Sequence, residues 1–130
     1  MSKNKVTHFE IPYSDTKKAK AFYEKIFDWK VDVDPEMEGY GMARTVDSDK
    51  DGMPAEKGGI NGGFYKRTSD KDRPSVVIET DNIDATVEAI KKAGGKITTD
   101  KHAIGEWGFM ADFMDPEGNE LGLWETVKKK

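Results

Sequence analysis

The chain uses one structural plan twice. The first copy, Val6–Val31, reads as a strand, a turn, an amphipathic helix and a second strand, and the same order returns at Ser75–Thr99. Aligning His8 with Ser75 brings the two copies into correspondence, although few residues are identical. A half-sized module used twice usually cannot bury its apolar face alone. We therefore expect the two copies to pack together, with functional residues between them.

Length and composition restrict the class of protein. A chain of 130 residues fits one domain, residues 1–130, which should bury roughly two thirds of its unfolded surface. The net charge of −4 argues against nucleic acid or an anionic membrane as the main partner. The chain has no cysteine and no long apolar segment, which excludes disulfides, thiolate metal sites, a transmembrane helix and a secretory signal. We expect a cytoplasmic protein.

Polar segments divide the chain into two modules of order β-α-β-β-β. The stretch KRTSDKDRP contains no apolar residue, which predicts a linker at 68–74. Module one then covers about 5–67 and module two about 75–127. Within module one, Asp34-Pro35-Glu36 is predicted to join two strands. Within module two, His102–Gly108 is predicted to be a loop.

Residue alternation in the first strand separates a packing side from a chemical side. The period of two places Phe9 and Ile11 toward the helix and His8 and Glu10 on the opposite side of the sheet. Because His8 and Glu10 share one side of a strand, they are about 7 Å apart along it.

The first helix has one apolar stripe and an unusual end. Ala19, Phe22, Tyr23 and Ile26 follow the spacing i, i+3, i+4 and i+7, which predicts that all four pack on the sheet. Asp28 stands where a glycine would close the helix most easily. We expect Asp28 to adopt the left-handed conformation, which Asp tolerates better than most residues.

The paired modules, the opening HFEIPYSDTKKAKAFYEKIF and the close DFMDPEGNELGLWE resemble the vicinal oxygen chelate superfamily. That superfamily includes glyoxalases, extradiol dioxygenases, and bleomycin and fosfomycin resistance proteins. The resemblance covers nearly the whole chain. It implies an α+β fold in which two β-α-β-β-β modules form a curved eight-stranded sheet around a cleft, and it implies a homodimer.

In metal-dependent members of that superfamily, two strands of each module offer a ligand to a divalent ion. Carried over by resemblance, these positions fall on His8, on Ser75, near Gly62 or Gly63, and on Gly122. Only His8 is retained as a ligand. A catalytic metal site normally needs three protein ligands from His and carboxylates. We therefore expect no cofactor and no metal at the family position, with a divalent metal as the alternative.

A second candidate metal site is the acidic segment Asp47–Gly52, which matches the first six positions of a calcium-binding loop. The twelfth position, which should be a bidentate Glu, is Gly58. This mismatch favours an acidic surface loop.

His8 and Glu10 are the candidate catalytic residues. If their side of the strand lines a pocket, Glu10 can act as a general base and His8 as a general acid or hydrogen-bond donor. The alternative is a histidine hydrogen-bonded to a neighbouring strand, beside a solvated Glu10. The residues leave open whether the protein is an enzyme.

Further candidate ligand contacts lie in module two. By the period of two, the predicted contacts in its strands face away from the helix, whereas Leu121 and Leu123 face it. Trp107 is predicted either to form part of a lid or to pack under its loop. The full set of predicted ligand contacts is Ser75, Val77, Trp107, Glu120, Gly122 and Trp124.

Three functions remain open from the sequence. The first is a glyoxalase/bleomycin-resistance-like protein that binds a small organic molecule in the cleft between the modules without the family metal. The second is a glyoxalase-type lyase or isomerase that uses His8 and Glu10, with or without a divalent metal. The third is a resistance protein that sequesters an aromatic drug.

Overall fold

The computed structural model describes residues 3–33, 39–51 and 53–127. The predicted α+β class is confirmed, because a β-α-β-β-β order occurs twice in eight strands and two helices. The elements are β1 (Val6–Tyr13), α1 (Thr16–Phe27), β2 (Lys30–Val33), β3 (Gly41–Arg44), β4 (Gly62–Lys66), β5 (Ser75–Glu79), α2 (Ile83–Lys92), β6 (Lys96–Ile104), β7 (Gly108–Met114) and β8 (Glu120–Thr126). The predicted connection Asp34-Pro35-Glu36 lies outside the described residues.

The first compact unit spans residues 8–74. Its strands lie in the order β2-β3-β4-β1, with β1 parallel to β4 and the other pairs antiparallel. Tyr13, Val31, Ala43 and Phe64 form its buried core. The predicted packing side of β1 is confirmed, because Phe9 and Ile11 both pack against that core.

The second compact unit contains residues 75–127 together with residues 3–7. Its strands lie in the order β5-β8-β7-β6, with β5 parallel to β8 and the rest antiparallel. Ile83, Ala111, Phe113 and Leu123 form the buried core. Leu121 also packs there, so the predicted helix side of β8 is confirmed. Among the described residues, neither helix is both long and apolar enough to cross a membrane.

The apolar stripe of α1 is only partly buried, which corrects the prediction that all four of its residues pack on the sheet. Ala19 and Tyr23 pack against the core, whereas Phe22 is 54% exposed and Ile26 is 57% exposed. The Phe22 ring instead meets other rings at the end of the helix, Tyr23 with centroids 5.2 Å apart and Phe27 with centroids 6.2 Å apart. Trp29 stacks on Tyr23 with ring centroids 5.0 Å apart.

Short polar side chains fix the ends of both helices. Asp15 accepts a hydrogen bond from the Lys18 N–H at the start of α1, and Asn82 accepts one from the Ala85 N–H at the start of α2. Asp28 ends α1 in the left-handed conformation, with φ 58° and ψ 30°. This confirms the conformation predicted from its place in the sequence.

The segment after α2 differs from the prediction. Strand β6 is nine residues long, so His102 lies inside a strand paired with Met110 and not in a loop. Only the short turn 105–107 separates β6 from β7, and Trp107 in this turn is 58% exposed. The register between β6 and β7 shifts twice, between residues 97 and 102. These irregularities let the strand continue through residues that sequence reasoning placed in a loop.

Candidate functional site

In each module, one side of the four strands is covered by the module's helix. We call the opposite side the helix-distal face. In module one, the strand registers align four positions in one row across this face. The row runs through Asp32, Met42, Gly63 and Glu10. His8 lies two residues before Glu10 and so shares the face. The structure therefore places both predicted catalytic residues on one face, beside the glycine at the family's fourth-strand position.

Tyr40 occupies the space that a side chain at Gly63 would fill. A Cβ atom added to Gly63 would lie 2.1 Å from the Tyr40 hydroxyl oxygen and 2.5 Å from its Cζ. The preceding residue, Gly39, has φ 85°, and its carbonyl accepts a hydrogen bond from the Tyr13 hydroxyl. The chain is thus held just before Tyr40, and the phenol ring lies directly over the β4 backbone.

Tyr40 also joins the two predicted catalytic residues. Its hydroxyl oxygen lies 3.2 Å from His8 Nε2, and its hydroxyl is hydrogen-bonded to the Glu10 carboxylate. His8, Tyr40 and Glu10 therefore form a connected polar group on the helix-distal face of module one. We call it the His8–Tyr40–Glu10 group.

Burial sets the protonation states in this group. It lowers the pKa of His8, because removing water disfavours the imidazolium form. The pKa of Tyr40 is raised, first by burial and then by the negative charge of Glu10 and the hydrogen bond to it. At neutral pH the group therefore contains a neutral imidazole and a neutral phenol. It can offer hydrogen bonds to a ligand but no fixed positive charge.

In module two, the strand registers align two adjacent rows across the helix-distal face. The first row is Val77, Gly122, Asp112 and Thr99. The second row is Glu79, Trp124, Met110 and His102. The predicted contacts Val77, Gly122 and Trp124 thus lie close together.

Asp112 and Val77 pack closely around the buried backbone of Gly122. A Cβ atom added to Gly122 would lie 3.4 Å from Asp112 Oδ1 and 3.1 Å from Val77 Cγ2. The pKa of Asp112 is raised by burial above all, and also by the charge of Glu120. A hydrogen bond from the Thr99 hydroxyl and the proximity of His102 act in the opposite direction. A carboxyl group therefore stands beside the position where the family has one, but on the neighbouring strand.

Hydrogen bonds hold Trp124 in place. Its indole N–H donates to the Thr126 hydroxyl at 2.8 Å, and that hydroxyl donates to the Glu79 carboxylate at 3.1 Å. The indole ring lies over Gly108, where an added Cβ would be 2.6 Å from Trp124 Cζ2. The orientation of the ring is therefore fixed from two sides.

Two other predicted contacts lie on the same face beside the first row, since Ser75 is two residues before Val77 and Glu120 is two residues before Gly122. Ser75 and Glu120 are at the first positions of β5 and β8, half-buried and exposed respectively. Trp107 is in the exposed turn between β6 and β7. Nothing in the described contacts assigns a ligand role to these three residues.

The residues at the family's metal positions do not fit a metal ion. Gly63 and Gly122 have no side chain, Ser75 is a weak ligand for these ions, and the Tyr40 ring covers the Gly63 position. Across residues 3–33, 39–51 and 53–127, no group of three or more His, Asp or Glu side chains could hold a metal ion.

Sequence reasoning missed Tyr40 and Asp112. Nothing local in the sequence connects Tyr40 with His8, 32 residues away. The only available signal was the glycine at position 63, which implies that another group fills its space.

Comparison with known proteins agrees with this architecture. The model of the glyoxalase/bleomycin resistance protein/dioxygenase superfamily matches residues 5–123. The chain belongs to this superfamily. The predicted resemblance is confirmed.

Its relatives include CFP32 of Mycobacterium tuberculosis (strain CDC 1551 / Oshkosh), which is named as a candidate glyoxylase. The two chains are 26% identical over 124 residues, which cover 90% of this chain and 44% of CFP32. The chain thus spans less than half the length of that relative.

Two solved structures show the same fold. Methylmalonyl-CoA epimerase from Streptomyces coelicolor, in complex with 2-nitronate-propionyl-CoA, matches with a TM-score of 0.68 and 14% identity over 98% of this chain and 100% of that one. The hypothetical protein BH1468 from Bacillus halodurans C-125 matches with a TM-score of 0.67 and 14% identity over 99% of each chain. At these identities the likeness concerns the fold alone.

Proposed function

We propose that this protein binds a small organic molecule through the His8–Tyr40–Glu10 group, without the divalent metal used by metal-dependent members of its superfamily. The position of Tyr40 carries the proposal. Its ring fills the space at Gly63 and its hydroxyl is bonded to the one retained family ligand, His8. A metal ligand cannot be contributed from position 63 while the phenol stands there.

The group favours a neutral ligand that has both an oxygen acceptor and a hydroxyl or amide donor. A donor of the ligand can replace the Tyr40 hydroxyl on the Glu10 carboxylate, which frees that hydroxyl to donate to an acceptor oxygen of the ligand. The neutral His8 supplies no countercharge for a phosphate or a carboxylate. Met42, in the same row and 40% exposed, offers an apolar and adaptable contact beside the polar group.

Metal content and ligand binding together test this proposal. Mass spectrometry of the untagged protein should find no stoichiometric metal, and Ni²⁺, Zn²⁺, Mn²⁺ and Fe²⁺ should not raise its melting temperature. Stoichiometric metal that is lost in His8→Ala would overturn the metal-independent function.

A metabolite screen supplies the second test. Tyr40→Phe should weaken the binding of a compound found with the wild-type protein by about fivefold or more, as expected for the loss of one hydrogen bond worth about 1 kcal/mol. Tyr23→Phe makes the same chemical change on the helix side of the sheet and should leave binding unaltered. Equal affinities of wild type and Tyr40→Phe would remove Tyr40 from the site.

A lyase or isomerase is the second candidate, and the contact between Glu10 and Tyr40 favours it. If Glu10 removes a proton from carbon next to a carbonyl, the C–H electron pair forms a C=C bond and negative charge moves to the carbonyl oxygen. The Tyr40 hydroxyl can donate a hydrogen bond to that oxygen. Protonation neutralises Glu10, which removes part of the cause of the raised Tyr40 pKa. The phenol thus becomes a stronger donor when the oxygen becomes negative.

Proton exchange with solvent tests this second candidate. A neutral thioester is a suitable first probe, because the group offers no countercharge for a carboxylate or a phosphate and a solved structure of similar fold is named as the epimerase of a thioester, methylmalonyl-CoA. In D₂O, wild-type protein should exchange the proton at the carbon next to the thioester carbonyl, and Glu10→Gln should slow exchange at least a hundredfold. If Glu10→Gln exchanges as fast as wild type, Glu10 is not the base. Binding without exchange would leave the binding function alone.

A further inference from the structure

Tyr13 is the last residue of β1 and lies on the helix side of module one, on the opposite face of the strand from His8 and Glu10. The residue is buried, with 7% of its surface exposed, and its ring belongs to the core formed with Val31, Ala43 and Phe64. Its hydroxyl donates a hydrogen bond to the Gly39 carbonyl. Because a buried phenol needs such a partner, the Tyr13 side chain links the core to the backbone at Gly39.

The Tyr13 hydroxyl also occupies the space beside Gly39. A Cβ atom added to Gly39 would lie 2.7 Å from the Tyr13 hydroxyl oxygen, and Gly39 has φ 85°, which glycine adopts at no steric cost. The Gly39 carbonyl is part of the planar peptide group that joins Gly39 to Tyr40. The hydrogen bond from Tyr13 therefore fixes the plane of the peptide group through which the chain enters Tyr40.

The residue after Tyr40 is fixed by the sheet. Gly41 is buried and pairs with Val33 of β2 and with Phe64 of β4. A Cβ atom added to Gly41 would lie 2.7 Å from the Asp32 carbonyl oxygen, so β2 packs closely against it. Tyr40 is thus held from its C-terminal side by strand pairing and from its N-terminal side by the hydrogen bond between Tyr13 and Gly39.

We infer that Tyr13 is a positioning residue for the binding group: by holding the Gly39–Tyr40 peptide on the helix side of the strands, it keeps the Tyr40 ring over Gly63 on the helix-distal face. The phenol is then in contact with His8 and Glu10 before a ligand arrives. A contact that is already in place costs less ordering when the ligand binds. The inference rests on the proposed function, because it concerns the phenol through which the ligand would bind.

The titration of His8 reports the position of the Tyr40 ring without any ligand. Burial lowers the pKa of His8 from 6.5, and the Tyr40 hydroxyl oxygen lies 3.2 Å from its Nε2. Tyr13→Phe keeps the core ring and removes only the hydroxyl. Because a loosened Tyr40 ring admits water to the imidazole, the His8 pKa followed by ¹H–¹⁵N NMR should rise toward 6.5. Tyr23→Phe removes a hydroxyl from another ring against the same core and should leave the His8 pKa unchanged.

A double variant shows whether the effect passes through Tyr40. Tyr40→Ala removes the ring and should itself raise the His8 pKa. Adding Tyr13→Phe to Tyr40→Ala should cause no further rise, since no ring remains to be positioned. Equal rises from Tyr13→Phe in both backgrounds would mean that Tyr13 acts on His8 by another route and would overturn the inference. An unchanged His8 pKa in folded Tyr13→Phe would overturn it as well.

Benzamide is a suitable binding probe, because it is neutral and has a carbonyl acceptor, an amide donor and an apolar ring. Its binding can be followed at the His8 imidazole signals. Tyr13→Phe should bind benzamide about threefold more weakly than wild type, as expected if the loosened phenol occupies its binding position about a third of the time. Tyr23→Phe should bind it as wild type does.

Tyr40→Phe separates the inference from the proposed function. Weaker binding by Tyr40→Phe together with wild-type affinity in Tyr13→Phe would overturn the positioning role of Tyr13 and leave the proposed function in place. Wild-type affinity in Tyr40→Phe would count against the proposed function, and the His8 titration would still decide the role of Tyr13.

Discussion

Replacing Gly63 with alanine should disrupt module one far more than a single methyl group suggests. The added Cβ would stand 2.1 Å from the Tyr40 hydroxyl oxygen, well inside contact distance, so the ring must move. Over-packing of this kind costs about 1–3 kcal/mol. Loss of the hydrogen bond between Tyr40 and His8 adds about 1 kcal/mol. We expect Gly63→Ala to lower the free energy of unfolding by roughly 2–4 kcal/mol.

A double-mutant cycle separates this clash from any other effect of the alanine. In a Tyr40→Ala background the space above residue 63 is vacant, and Gly63→Ala should then stabilise the protein by roughly 0.5–1 kcal/mol, because alanine restricts the unfolded chain more than glycine does. The two substitutions should therefore show a coupling energy of roughly 2.5–5 kcal/mol, at or above the upper end of the range of about 0.5–3 kcal/mol for contacting residues in general.

Urea unfolding followed by circular dichroism measures all four free energies. Gly122→Ala is the matched control in module two, because its Cβ would meet Val77 at 3.1 Å and Asp112 at 3.4 Å, and it should cost less than about 1 kcal/mol. Additive effects of Gly63→Ala and Tyr40→Ala would refute the assignment of Tyr40 to the space at Gly63. So would equal costs of alanine at positions 63 and 122.

Three further outcomes follow from the structure. The pKa of His8 is lowered by burial. The contribution of neutral His8 to stability should therefore be present above pH 6.5 and be lost as the pH falls from there through the folded-state pKa. A ¹H–¹⁵N NMR titration, together with unfolding curves of wild type and His8→Gln, checks this. The pKa of Asp112 is raised, so its ionisation should reduce stability as the pH rises from 3.8 through the folded-state value. In urea unfolding, Asp112→Asn should remove the loss of stability between pH 4 and pH 7. A pH dependence equal to that of the wild type would contradict this expectation. Asp28→Gly should raise the free energy of unfolding by roughly 0.5–1 kcal/mol, because glycine adopts φ 58° without strain, whereas Asp15→Gly, at a cap with φ −125°, should not.

Local sequence signals predicted most of the fold. The alternation in β1 placed Phe9 toward the helix and His8 away from it, since a strand has a period of two whatever its neighbours. Asp28 was predicted in the left-handed conformation because the helix must end where no glycine is present. These features depend on residues close in sequence, which is why one sequence is sufficient for them.

Features that depend on distant residues were not predictable in the same way. Phe22 is 54% exposed although it has the spacing of the apolar stripe, because helical periodicity gives the direction of a side chain and not what covers it. The continuation of β6 past His102 depends on pairing with β7 through two register shifts. The contact of Tyr40, just before β3, with His8 of β1 joins residues 32 positions apart in the sequence. The glycine at position 63 indicates that another group fills its space, but nothing in the sequence identifies that group.

The inclusion of residues 3–7 in the second compact unit affects how the chain can be divided. The Glu79 N–H donates to the Lys5 carbonyl at 2.9 Å, so a gene fragment that encodes only residues 75–127 would leave this backbone donor of β5 without its acceptor. Exposed strand donors of this kind recruit other chains and promote aggregation. A fragment of module two that retains residues 3–7 through a short designed connection to Val127 should remain better behaved in isolation. The predicted linker at 68–74 is therefore not a place where the protein can simply be cut.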